Sequence, residues 1–436
     1  MPIPARLTYG LLLLGLPLAG GLGVPLGWQL SLIITSIYDA FILIAMFWDY
    51  GRNRPRRVAL TPIDPGKLSV GRQNTITIVA QTAAYPAHLR LRDGYPVGWA
   101  VTPEPITAQL PPATLQDLRY TLRPEKRGEF PWQRLTVWQL TPWGLAWDHW
   151  RVGTPRPVSV YPDLLTLREL SIRLTLEGSG TLRRKRQLAG GTEFTELREY
   201  RTGDDPRLVD WKATARRGRP LVRVLEPEQE QTVLILLDRG RLMTGRIQGL
   251  TRFDWGLNAA LALALAVLHR GDRVGLVVFD RQVSLWLPAQ RGNHYLNHLT
   301  ERSARLQPVL QEPDYVGIMQ TVTRQQTRGT LVVMLTEVID TTASSELMGA
   351  LGRLPPRHLP LCVTLRDPLV TQQAQDFSTH PGSAYGRAVA LDLLHQRQVV
   401  LTQIQRQGVL VVDAPAHQVS TPLVEAYLRL KARGRL

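Results

Sequence analysis

The first fifty residues constrain this chain more than any other part of it. From Leu7 to Gly27 the sequence is almost wholly apolar, and from Trp28 to Trp48 it is apolar again apart from Gln29, a few hydroxyls and Asp39. A bilayer core about 30 Å thick is crossed by roughly 20 helical residues, and each stretch meets that length. A cleavable signal peptide predicts one shorter apolar stretch followed by a small-residue cleavage site; a second span directly after the first argues against it. Pro17 and Pro25 suit a membrane helix, where neighbouring helices re-satisfy freed backbone groups. The connection near Gly27 is short and uncharged. Residues 1–56 therefore read as a two-helix membrane hairpin with spans at about 7–27 and 28–48. Arg6 precedes the first span, and Arg52, Arg54, Arg56 and Arg57 follow the second. Positive residues stay on the cytoplasmic side. This predicts a multi-pass inner-membrane protein with its soluble part in the cytoplasm and its juxtamembrane arginines against anionic lipid heads. Asp39 falls mid-span, where an ionisable group is costly. The plainer reading is a protonated or paired carboxyl that helps the hairpin or an oligomer pack; the other is a functional group.

The charge balance is basic, 52 Lys+Arg against 36 Asp+Glu for a formal +16. Such an excess suits nucleic acid, an anionic membrane or an acidic partner, and composition does not choose among them. The single cysteine, Cys362, excludes an internal disulfide and a Cys-rich metal site. The histidines are scattered, without a His-Glu-x-x-His run. A Gly-x-x-x-x-Gly-Lys-Ser/Thr phosphate loop and a Gly-x-Ser-x-Gly elbow are both missing from the sequence. The expectation is a protein without catalytic machinery or cofactor.

Residues 57–162 change register. Asn74–Ala80, Leu118–Leu122 and Arg134–Gln139 alternate with period two between Pro- and Gly-containing turns, which predicts a small β-sandwich-like domain. Five tryptophans between Trp132 and Trp150 fit core and corner packing of such a domain better than base stacking. Residues 163–192 read as a basic linker carrying the run Leu182–Arg186.

The segment 193–217 is the densest polar stretch. Asp205 suits a helix cap and Pro206 a first helical position. This predicts a helix over Arg207–Arg217 that stops at Gly218, with Asp210 and Thr214 on one face and Arg207 and Trp211 on another. Arg198, Glu199, Asp204 and Asp205 precede it with mixed signs. They form either an ion network that locks a joint or a docking surface. We expect Asp210 and Trp211 to point inward and Arg216, Arg217 and Arg219 to face a partner. Beyond this, strands alternate with helices: Val233–Asp238, Phe253–Leu268, Asp272–Phe279 with Gln282–Leu287, Asn293–Leu306, Tyr315–Arg328, Thr330–Thr336, Ser344–Leu354, Leu359–Leu365, 388–406, Gly408–Val412 and Leu423–Arg433. The pattern predicts a mostly parallel sheet covered on both faces.

Leu197–Arg216 (LREYRTGDDPRLVDWKATAR) closely resembles the signature of the family called domain of unknown function 58. Arg127–Gly128-x-Phe130, Pro142–Trp143–Gly144–Leu145, Gly271–Asp272–Arg273–Val274–Gly275 and the tail Leu430–Gly434 also resemble that family. The resemblance implies a von Willebrand factor A-like (Rossmann-like) α/β domain over 193–436 and frequent pairing with a MoxR-type AAA+ ATPase. It marks Arg198, Glu199, Tyr200, Gly203, Asp204, Asp205, Arg207, Asp210, Trp211, Lys212 and Arg216 as signature residues. A-type domains often hold magnesium in an Asp-x-Ser-x-Ser loop of hard oxygens. Here the matching stretch is Asp238–Arg239–Gly240–Arg241–Leu242. It keeps the acid but loses both hydroxyls, and its arginines repel a cation, so this is a degenerate form of the metal-ion-dependent adhesion site. Thr336 and Glu337 end a later strand and are expected nearby. The arginines could replace the metal's charge when an acidic partner side chain arrives. The resulting expectation is a membrane-tethered interaction or scaffold protein working with the ATPase in complex assembly or envelope-related processes. A hydrolase with its site near Asp238 and a basic nucleic-acid binder are the rivals.

Overall fold

The computed structural model describes residues 2–163, 166, 169–170, 193–202, 204–226, 231–377 and 381–433. Most of the expected linker, including Leu182–Arg186, lies outside them, as do Gly203 and Gly434. The chain divides into two compact units, Met1–Tyr161 and Pro162–Leu436.

The first unit begins with two helices, α1 (Arg6–Leu26) and α2 (Trp28–Asn53). They turn at Gly27, whose φ of +80° suits a residue without Cβ. The helices run antiparallel: the Ser31 hydroxyl donates to the Ala19 carbonyl at 2.5 Å and the Tyr38 hydroxyl to the Leu11 carbonyl at 3.2 Å. Among the described residues, the stretch Trp28–Arg56 is long and apolar enough to cross a membrane. Leu13, Leu16, Ile37, Phe41 and Ile44 all face outward.

The rest of this unit is β. Its strands are β1 (Ile3–Pro4), β2 (Ala59–Pro62), β3 (Leu68–Ser69), β4 (Asn74–Gln81), β5 (Ala87–Gly94), β6 (Ala100–Thr102), β7 (Ile106–Leu110), β8 (Leu115–Arg123), β9 (Gly128–Leu140), β10 (Ala146–Val152) and β11 (Arg156–Tyr161). They form a sheet ordered β1-β10-β9-β11-β3, with β5 on β9 and β7 on β5, and a second sheet ordered β2-β4-β8-β6. All pairings are antiparallel except β11 with β3. Alternation along β4 buries Ile76, Ile78 and Ala80, and along β5 Leu89 and Leu91. Asp93 ties the sheets together, accepting from Tyr120 of β8 at 2.6 Å and from the Trp132 indole of β9 at 3.1 Å.

The helix pair is bolted to this β domain at one end. The Leu145 carbonyl accepts from the Ala5 amide at 2.9 Å and from the Thr8 hydroxyl. Asp49 accepts from the Trp143 amide at 3.2 Å. Asp148, fully buried, takes Asn53 at 3.0 Å and a two-toothed grip from Arg57 at 2.8 Å. The Pro142–Trp143–Gly144–Leu145 turn between β9 and β10 thus has a structural purpose. Gly144 adopts φ +71° to make the turn, and its neighbours carry the groups that hold α1 and α2.

In the second unit, β12 (Glu193–Glu199) and β13 (Leu221–Glu226) form an antiparallel hairpin around helix α3 (Trp211–Arg217). The main sheet contains β14 (Thr232–Asp238), β17 (Arg273–Phe279), β18 (Val283–Gln290), β19 (Leu331–Thr336), β20 (Leu359–Arg366) and β21 (Leu410–Pro415), in the order β18-β17-β14-β19-β20-β21. All pairs are parallel except β17 with β18. A short hairpin, β15 (Arg246–Ile247) and β16 (Leu250–Thr251), leads into α4 (Arg252–His269). The remaining helices are α5 (His294–Ala304), α6 (Tyr315–Gln325), α7 (Ser345–Leu351), α8 (Pro368–Ala374), α9 (Pro381–Arg406) and α10 (Ser420–Ala432).

Period-two alternation splits the core. Val233, Ile235 and Leu237 pack with α4, α5 and α10, whereas Leu234 and Leu236 pack with α6, α7 and α9. Burial of each such side chain contributes about 1.5–3 kcal/mol. Helix α4 is apolar nearly all round because helices and sheet enclose it, and its start carries a capping box between Thr251 and Asp254.

Candidate functional site

Strand order reverses between β14 and β19. In an open α/β sheet, the crevice at such a switch point is where ligands bind, beyond the carboxyl ends of the strands. Asp238 ends β14 and Thr336 ends β19, so the fold brings these two expected residues together. The Asp238 carboxylate accepts from the Gly240 amide at 2.6 Å, the Thr336 hydroxyl at 2.7 Å and the Tyr315 hydroxyl at 3.1 Å. All three side chains are buried. Burial raises the Asp238 pKa, against the lowering effect of the bonds from Thr336, Gly240 and Tyr315. Helix α6 closes the nest with Tyr315, whose hydroxyl reaches both Asp238 and Thr336.

Glu337 corrects the expectation that it joins Asp238. Adjacent strand residues point to opposite faces, and Glu337 pairs with Arg397, which also holds Asp413 at 3.0 Å, and with Arg252 at 3.3 Å. It belongs to a buried ion cluster that clamps α4 and α9 to the strand ends. The loop arginines are also engaged. Arg239 binds Asp280 and Arg241 binds Glu312 at 2.6 Å. Their charges are thus answered within the chain. Among the described residues no group of three or more His, Cys, Asp or Glu side chains could hold a metal ion.

The signature folds otherwise than its spacing suggests. Asp205 does cap and Pro206 does follow, but they start only a single 3-10 turn, Pro206–Leu208. Val209 then bridges to Val222 of β13 and interrupts the expected helix over Arg207–Arg217. Asp210 becomes the cap of α3, accepting from the amides of Lys212 and Ala213 at 3.1 and 3.0 Å. It also pairs with Arg223 at 2.8 Å. The Ala213 amide, then Arg223, holds its carboxyl below the usual range. Arg198 grips Asp204 through both nitrogens, at 2.8 and 2.5 Å, and lowers the Asp204 pKa with help from the Arg201 amide. Glu199 pairs with Arg219. Gly218 closes α3 in the left-handed conformation, and Thr214 accepts from the Leu221 amide at 3.0 Å.

The polar groups thus satisfy one another and fix a short helix on a hairpin. Trp211 does not point inward. It is 72% exposed, while Asp210 is half-buried. Arg207, Lys212, Arg216 and Arg217 are exposed beside it, and Tyr200 is 39% exposed. Sequence reasoning missed both the clamp around Glu337 and a second buried acid, Asp272. Asp272 accepts from Lys431 at 2.6 Å, from the Tyr427 hydroxyl and from the Gln231 amide at 3.2 Å. This joins the Gly271–Gly275 motif to the tail around Lys431, two family-like stretches that stand far apart in sequence.

Comparison with known proteins agrees with the signature. The chain is 23% identical over 180 residues to the uncharacterized protein Rv1480 of Mycobacterium tuberculosis, covering 41% of this chain and 56% of that one. It is 24% identical over 108 residues to the uncharacterized protein YeaD of Bacillus subtilis, a quarter of each chain. This chain therefore spans little more than half the length of the mycobacterial relative. Among solved structures, the conserved hypothetical protein BatB from Bacteroides thetaiotaomicron aligns at 14% identity with a TM-score of 0.33, over 47% of this chain and 98% of that one. An aerotolerance-related membrane protein from Bacteroides fragilis aligns at 14% identity with a TM-score of 0.32, over 46% and 99%. Residues 196–373, which hold the signature and the strand-end nest, match the family described as Protein of unknown function DUF58.

Proposed function

We propose that this protein is a membrane-tethered interaction protein that docks a MoxR-type AAA+ ATPase through its signature element, and is not itself an enzyme. One observation carries the reading: an exposed indole, Trp211, stands among exposed cations on an element whose other polar groups are spent on rigidifying it. Tryptophan and arginine dominate the binding energy of protein interfaces, and a rigid presentation lowers the ordering cost of binding. A partner with an apolar slot rimmed by carboxylates fits this surface. The six-stranded sheet, with its switch point at β14, supports a von Willebrand factor A-like reading of the second unit, with the metal position closed by Tyr315. The outward apolar side chains of α1 and α2 support a two-span hairpin, and the arginines after α2 support a cytoplasmic soluble part. The buried, hydrogen-bonded oxygens of Asp238 weigh against the hydrolase reading.

The test is co-purification of the full chain with a MoxR-type ATPase from the same organism. Trp211→Ala should abolish capture and leave thermal stability within about 0.5 kcal/mol, as for an exposed site. Capture that survives Trp211→Ala, or a variant that unfolds, refutes the assignment.

A further inference from the structure

The outer face of the larger β sheet in the first unit carries a pattern that docking through the signature does not use. Directly paired strand residues share a face. Arg90 of β5 stands opposite Trp138 of β9, which stands opposite His149 of β10. One row along, Ile3 of β1 stands opposite Trp147 of β10. Arg92 stands opposite Thr136, and Thr136 opposite Arg151. Arg90 and Arg92 are exposed, and among the described residues neither has a salt-bridge partner. Ile3, Arg90, Arg92, Trp138 and Trp147 line one groove of about 420 Å³. The one carboxylate on its wall, Glu104, already accepts from the Tyr95 hydroxyl at 3.0 Å.

The groove's position adds an independent constraint. Ile3 lies three residues before α1 starts at Arg6, at most about 10 Å of extended chain. Trp147 follows Ala146, which pairs with Pro4, and Leu145, whose carbonyl holds the start of α1. On the same end, exposed Trp48 and Trp143 lie 5.0 Å apart and Arg52 covers Trp48 at 5.7 Å. Indoles and arginines in this arrangement mark the level of lipid headgroups. Guanidinium forks match phosphate oxygens, and anionic leaflets attract clustered cations.

We propose that this groove binds the phosphate headgroup of an anionic glycerophospholipid, with Arg90 and Arg92 on the phosphate and Trp138 and Trp147 against the glycerol and upper chains. This rests on the reading of α1 and α2 as a membrane anchor, since that is what brings the groove to lipid. The test uses the full chain in a neutral detergent, with native mass spectrometry as readout. The probes are dihexanoyl phosphatidylglycerol, dihexanoyl phosphatidylcholine and sn-glycerol 1-phosphate. The expected result is retention of phosphatidylglycerol at least tenfold above phosphatidylcholine, little glycerol phosphate, and loss of that preference in Arg90→Gln/Arg92→Gln at an unchanged melting temperature. Equal retention of the two lipids, or an unaffected double variant, overturns the proposal. Glycerol phosphate binding as tightly as the lipid overturns the lipid assignment in favour of a free phosphate ester. Flotation with pure phosphatidylcholine vesicles reports the anchor separately. A chain that floats without headgroup preference sinks the groove alone, and one that prefers phosphatidylglycerol without floating sinks the anchor reading alone.

Discussion

Replacing Lys431 by methionine should unfold the second unit at a much lower denaturant concentration than a surface lysine change would. Asp272 is fully buried, and its charge is answered by Lys431 Nζ at 2.6 Å, with the Tyr427 hydroxyl and the Gln231 amide as neutral donors. Removing one partner of a buried pair leaves an uncompensated charge and costs about 3–5 kcal/mol. The Lys431 side chain is 27% exposed, and two neutral donors remain, so the low end, about 3 kcal/mol, is expected. For a unit of this size that is roughly 6–12 °C in melting temperature. Asp272→Asn removes the charge with its partner still free to reach water, and should cost only about 1 kcal/mol, near the net value of one hydrogen bond. The double variant should then be more stable than Lys431→Met alone, a coupling of roughly 2 kcal/mol. The assay is urea denaturation of the full chain in mild detergent, followed by circular dichroism. If Lys431→Met costs less than about 1 kcal/mol, the pair behaves as an exposed one. The claim that it staples α10 to the start of β17 then fails.

Three further outcomes are expected. Because burial raises the Asp238 pKa in the folded state, the neutral acid stabilises the fold fully below the ordinary value of 3.8, and that contribution is lost as pH rises through the raised value. Asp238→Asn mimics the neutral acid, so it should be at least as stable as the parent at pH 7 and lose this advantage near pH 4. Magnesium should leave the melting temperature unchanged, whereas a bound ion at a hundredfold excess over its Kd would add about 2.7 kcal/mol; such a rise, abolished by Asp238→Asn, would overturn the closed-nest description. A reporter fused at the C-terminus should be cytoplasmic, and removal of the soluble units by protease added outside intact spheroplasts would reverse the orientation.

The periodic parts of this fold were legible because their signal is local. Val233–Asp238 is an apolar strand that ends in an acid, and Phe253–Leu268 is a helix whose apolar surface leaves it nowhere to go but inside. Asp205–Pro206 illustrates the opposite case. The pair reads as a helix start and is one, but a cap signal says nothing about length. What stops the turn is the bridge from Val209 to Val222, a contact with a strand that the local pattern does not contain. The true cap, Asp210, has the right chemistry and sits directly before the helix, yet it was hidden by the stronger Asp-Pro signal upstream. The Asp272–Lys431 and Glu337–Arg397 pairs were out of reach for a related reason. Each joins elements distant in the chain, and a lone charged residue carries no mark of its partner.

Trp211 shows how this limit bears on function. A tryptophan at the start of a short helix is by default a core residue, since burying it is worth several kcal/mol. The structure spends the local polar groups on holding the helix and leaves the indole in water, at 72% exposure. The acids beside it do not need Trp211 for their satisfaction: Asp210 has Arg223 and two amides, and Asp204 has Arg198 and the Arg201 amide. Its exposure is therefore not a by-product of the ion network. The proposed docking partner would cover this ring, and the exposed cations around it would suit an acidic surface on that partner.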